Sequence, residues 1–127
     1  MDEELLTVIK HLTVTDTGLS NFYYDKALDV TLVPYAVLTW NSSSQTRDTV
    51  NKFESLDITL TIYADSRESI MSIVNSITYN FDDSENYFND NISGWTLDII
   101  NRTLLRSYSN EDYYQCIIGY NLKLTKN

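Results

Sequence analysis

Two periodicities stand back to back between Leu56 and Phe81. In the first, Leu56, Ile58, Leu60 and Ile62 alternate with Asp57, Thr59, Thr61 and Tyr63. Successive side chains of an extended chain point to opposite faces, so this segment is a strand with one apolar and one half-wet face. In the second, Ile70, Ile73, Val74, Ile77 and Phe81 recur at the spacing that lines one side of a helix. Asp65-Ser66-Arg67-Glu68 joins them. Asp65 is placed to cap the helix, and Glu68 stands three residues on in capping-box position. A one-faced strand running straight into a one-striped helix buries both apolar surfaces when the helix lies on the sheet. The helix should end near Phe81, ahead of Asp82-Asp83-Ser84.

The same reading extends in both directions. Residues 3–12 form a first helix, with Leu5, Val8, Ile9 and Leu12 on one side and acids at its N-terminal end. Thr13–Ser20 breaks that pattern. Asn21–Asp29 is open between a short strand and a packed loop around Phe22, Tyr23 and Tyr24. Thr31–Trp40 is a strand, but Pro34 removes a ladder donor, so it begins at Tyr35 or lies at an edge. Asn41–Asp48 is a polar loop without an apolar anchor, and pairing resumes near Val50 or Phe53. This makes a long hairpin with a mobile tip. Glu85–Gly94 is polar and rich in Asn. Trp95, Leu97 and Ile99 alternate, then the apolar phase slips at Ile99-Ile100, as at a bulge. Ser107–Asp112 is a turn. Tyr114, Cys116, Ile118, Tyr120, Leu122 and Leu124 then share one face of a last strand. The expected fold is a single α+β domain over residues 1–127. It has a mostly antiparallel four-stranded sheet, two helices packed on it and a long hairpin loop.

Composition removes several kinds of function. A chain of 127 residues can bury a core without disulfides or metal. Cys116 is the one cysteine and His11 the one histidine, so neither an internal disulfide nor a His/Cys metal cluster is available. The acidic Met1-Asp2-Glu3-Glu4 start lacks the basic and apolar regions of an export signal, and no apolar run reaches membrane length. The protein is expected to be soluble and made inside the cell. Net charge is −9, from 18 acidic and 9 basic residues, which disfavours a phosphate-gripping face.

Catalytic constellations are missing as well. Cys116 looks inward and would have to meet His11 across the fold. No Gly-x-Ser-x-Gly elbow occurs, and three isolated glycines (Gly18, Gly94, Gly119) make no phosphate cradle. Asp82-Asp83 and Glu111-Asp112 read as solvated turn residues. The Asn-x-Ser/Thr triplets at Asn41, Asn91 and Asn101 read as chance. No cofactor and no metal is expected. What remains are residues suited to contact. Trp40 precedes the hairpin loop, which carries Asn41, Gln45, Arg47 and Asp48; Phe88 and Trp95 bracket the second polar segment. These aromatics either pack at the core rim or anchor neighbouring subunits. Arg102 and Arg106 suit ion pairs within or between subunits. The 10 tyrosines favour interfaces.

The order of elements also resembles a known family. A first helix precedes the strand Val33-Pro34-Tyr35-Ala36-Val37-Leu38, with its Pro-Tyr-x-x-Leu pattern. A polar loop and the strand Asp57-Ile58-Thr59-Leu60-Thr61-Ile62-Tyr63-Ala64-Asp65-Ser66 follow, then a helix with Ile70, Ile73, Val74 and Ile77. Two closing strands end in Gly119-Tyr120-Asn121-Leu122-Lys123-Leu124. From about Glu3 to Leu124 this resembles the tail terminator, or tail completion, proteins of tailed bacteriophages. The resemblance implies a non-enzymatic ring, typically of six copies, capping the tail tube at its head-proximal end. It implies three partners: copies of itself, the tail-tube protein and head–tail connector proteins. DNA would pass through the lumen without specific contact, and no membrane is involved. Another connector or tube-related ring is the nearest alternative. An acidic DNA mimic that inhibits nucleases is a further one, although Lys and Arg interleave its acids. A small enzyme is the least supported.

Overall fold

The computed structural model describes residues 3–19, 21–27, 33–46, 52–109 and 113–127. In chain order these form α1 (Glu3–Val14), β1 (Asn21–Tyr24), β2 (Tyr35–Thr46), β3 (Lys52–Ala64), α2 (Arg67–Phe81), α3 (Glu85–Asn91), β4 (Trp95–Ser109) and β5 (Tyr114–Lys126). The strands make one sheet in the order β1-β2-β3-β5-β4. β1 runs parallel to β2, and every other pair is antiparallel.

The architecture is α+β, but it differs from expectation in two counts. The sheet has five strands and is mixed, because Asn21–Tyr24 pairs in parallel with Tyr35–Leu38. Four residues are too few to display a period, so this strand exists through its partner. The third helix, α3, replaces an expected polar loop. It has one buried apolar residue, Phe88, and therefore no stripe to read. Asn89 fixes it instead: its Oδ1 accepts from Leu97 N–H at 2.7 Å and its Nδ2 donates to Leu97 O at 3.0 Å. That side chain acts as one rung of ladder beside β4.

Helices cover one face of the sheet. Leu38, Leu60 and Ile118 lie side by side across three strands and are fully buried, as are Ala36, Ile62 and Cys116 in the next row. Onto these pack Leu5, Val8, Ile9 and Leu12 of α1, the Ile70–Phe81 stripe of α2, and Phe88. The opposite face carries the alternate set: Thr59, Thr61, Tyr63, Gln115, Ile117 and Asn121. There Asn121 Nδ2 donates to both Ser55 Oγ and Asp57 Oδ1.

Several local expectations hold. β2 begins at Tyr35, just after Pro34, and α2 ends at Phe81. The cap of α2 moves by one residue. Ser66, not Asp65, has the extended backbone, and its Oγ accepts from Ser69 N–H at 3.1 Å. A hydroxyl at this position reaches the orphan amide as well as a carboxylate does. The polar stretch after Trp40 continues as strand to Thr46, paired with Lys52–Asp57, because backbone ladders need no apolar side chains. The tip of that hairpin lies outside the described residues. Likewise β4 runs on through Ser107 to Ser109 where a turn was expected. Its register shifts twice, at Leu97/Ile99 and at Arg102/Leu104. The first bulge turns Ile99 away from the helices and keeps Ile100 beside Leu122, which is the phase slip read from the sequence. The second sits against Gly119, where a Cβ would lie 3.0 Å from Thr103 Oγ1 and 3.1 Å from Leu104 Cβ.

Candidate assembly surfaces

Among the described residues no group of three or more His, Cys, Asp or Glu could hold a metal ion. Among them, too, no helix is long and apolar enough to cross a membrane. His11 stacks on Tyr87 of α3, with ring centroids 5.3 Å apart. Cys116 is buried in the sheet, where it accepts a long hydrogen bond from Ser107 Oγ. Burial pushes its thiol upward, away from the thiolate that a nucleophile needs.

The contact candidates divide sharply. Phe88 is wholly buried and belongs to the core, so it is no surface anchor. Its short helix turns it under the start of β4, and no periodicity could have shown that. Trp95 and Trp40 are half-buried against the core. Trp40 makes an edge contact with Tyr24, which in turn meets Phe22, an aromatic group at the β1 border of the sheet. Asn41 is exposed opposite Asp57, and Gln45 pairs through its backbone with Phe53. Arg47 and Asp48 lie outside the described residues. Arg102 and Arg106 are exposed on β4. Arg102 approaches Asp82 at 3.8 Å, the intramolecular form of the pair considered for it. Arg106 has no ion-pair partner among the described residues.

The tyrosines form a surface that their number hinted at but their spacing did not place. On the helix-free face Tyr35 stacks on Tyr63 at 4.7 Å, and Tyr23 and Tyr113 close on them edgewise. The register puts Tyr35 opposite Tyr63, so β2–β3 pairing builds the stack. On the covered face Tyr120 stacks on Phe81 at 4.8 Å, and its hydroxyl meets Asp82 Oδ1 at 3.4 Å.

Burial, then the Asp82 charge, raise the Tyr120 phenol well above its ordinary value. Burial also raises Tyr24, Tyr35 and Tyr63, the last two with help from neighbouring phenols. Each group holds its proton more tightly when folded. Their contribution is therefore complete below the unfolded value near 10 and is lost as pH rises from there through the folded values. Thermal midpoints followed by circular dichroism should fall above about pH 10, and Tyr120→Phe should flatten that decline. Parallel declines in the two proteins would refute the assignment to Tyr120.

Beyond Ile100 the residues of β4 are exposed on both faces, Leu104 alone being half-buried. A groove of about 340 Å³ runs between α1 and α3, lined by Glu3, Glu4, Val8, His11, Tyr87 and Asn91.

No protein-family model and no curated protein sequence matches this chain. Solved structures do. A chain from the virion of a native gene transfer agent particle superposes with a TM-score of 0.56 at 11% identity. The match covers 98% of this chain and 86% of that one. The likeness is one of fold. It extends over nearly the whole chain, so a virion chain shares this overall fold.

Proposed function

We propose that this chain is a structural virion protein that closes the tail tube as a ring and forms the surface joining tail to head. The observation that carries the reading is the end-to-end likeness in fold to a virion chain. The resemblance in element order to tail terminators, drawn from different information, points the same way. Surface chemistry supports it further: the exposed outer half of β4 and the tyrosine-bearing helix-free face offer contact area. An acidic subunit suits a lumen through which DNA slides, since carboxylates repel phosphates. Six copies, a tail-tube partner below and connector proteins above are the assembly this role requires. The head-proximal end of the tail is its place.

A second reading, a head–tail connector of the same neck, is favoured by the same likeness, because a virion chain need not belong to a tube end. Particles made without the protein separate the two. Overlong tails in negative-stain micrographs are expected for a missing terminator. Detached tails of normal length would identify a connector. Intact particles of normal length would eliminate both. A DNA-mimic inhibitor has less support, because bases interleave the acids, and it would reveal itself by blocking nucleases.

A further inference from the structure

We propose that the outer half of β4, Ile99 to Ser109, docks head to tail on the α1–α3 groove of a second copy of this chain. Arg106 is then set against the groove's carboxylates. This names the interface of the ring proposed above and rests on that reading for the ring itself.

The β4 segment is an unusual surface. β4 ends the sheet, so one backbone edge has no strand beside it among the described residues. Beyond Ile100 both faces are open too. Ile99, Leu105 and Tyr108 are 41%, 49% and 47% exposed. The register sets Leu105 beside Ile118 on the helix-side face and Arg106 and Tyr108 beside Ile117 and Gln115 on the other, so the outer end of the strand presents contact side chains on both faces. From Ile99 to Ser109 the strand has two arginines and no acid, in a chain of net charge −9.

Strand addition is not what this edge is built for. Bulges at Asp98 and Thr103 interrupt its ladder, and edge charges oppose pairing. Two β4 edges laid together would bring two Arg106 guanidinium groups to one seam with no carboxylate between Ile99 and Ser109, Arg102 already lying 3.8 Å from Asp82. The contact must come from side chains, and its partner must be acidic. The helical layer meets that condition. Glu3 and Glu4 stand in the first turn of α1, Glu85 in that of α3, and Asp90 follows. Between these helices the groove sets carboxylates beside Val8 and the ring of Tyr87. A guanidinium pairs with carboxylates and lies flat on aromatic rings, so Arg106 fits this chemistry better than lysine would. Groove and strand share no residue. Each copy therefore presents both halves of the contact, and repetition by rotation closes a ring.

The test is a mixed cross-link. Arg106→Cys and Glu3→Cys are made as separate chains, mixed, and oxidised as purified protein and within assembling tails. Buried Cys116 stays out of the reaction. The expected result is a covalent dimer that forms in the mixture and in neither variant alone. Arg106→Glu should weaken self-association about tenfold or more, and Glu3→Arg in the partner copy should restore it. Dimers from Arg106→Cys alone would mean edge-to-edge contact and overturn the proposal. No dimer in any sample would also overturn it, leaving the edge to the tube or a connector. Rings in micrographs without the mixed cross-link refute this interface and leave the terminator reading standing. The tail-length experiment decides that reading separately.

Discussion

Phe81→Ala should lower the free energy of unfolding by about 3–5 kcal/mol. Phe81 closes α2, is fully buried, and stacks on Tyr120 with the rings inclined by 20°. Removing the ring takes away its transfer energy and leaves a hole that Tyr120 cannot simply fill. The Tyr120 hydroxyl is held at Asp82, just past the end of α2, and Asp82 also meets Arg102 of β4. One aromatic pair thus ties the end of α2 to β5 and, through Asp82, to β4. Tyr79, two residues earlier, is 85% exposed, and Tyr79→Ala should change stability by less than about 0.5 kcal/mol. Urea titration of both variants reads the difference. Equal midpoints would mean that the stack does not form.

Leu60→Ala should cost about 2–5 kcal/mol, whereas Thr59→Ala and Thr61→Ala should each cost under about 1 kcal/mol. β3 is the central strand, and Leu60 faces Leu38 on one side and Ile118 on the other. All three are fully buried beneath the helices. The threonines point to the opposite face. A slip of one residue would exchange the two sets, so the contrast between neighbours reports the register itself. Comparable losses at Leu60 and Thr61 in urea titrations would exclude the pairing described here.

The parts of the fold readable from residues alone are those with a long uninterrupted period. β3, α2 and β5 each repeat an apolar position at least four times, and each lies where its pattern put it. The bulge in β4 announced itself because a broken period is visible only within a period. Cys116 facing inward followed from its place in such a run. The misses share the opposite property. β1 has four residues, α3 has one apolar anchor, and the end of β2, Asn41 to Thr46, is a polar run that pairs through its backbone. Phe88 and Trp95 looked alike beside a polar segment, and the fold buries the first completely and leaves the second half-covered.

The candidate surfaces divide in the same way. Trp40, Arg102 and Arg106 could be named in advance because aromatics and charges next to strands have few other uses. That Arg102 meets Asp82 while Arg106 meets no described partner depends on which residues pairing brings across β4 and β5. The tyrosine stack depends on Tyr35 landing opposite Tyr63, 28 positions later in the chain. Local periodicity sets each segment's conformation and apolar side, because those follow from backbone geometry within a few residues. Strand order, the parallel β1 and the charge contrast between β4 and the helices arise from contacts distant in sequence, where no repeat records which segments meet.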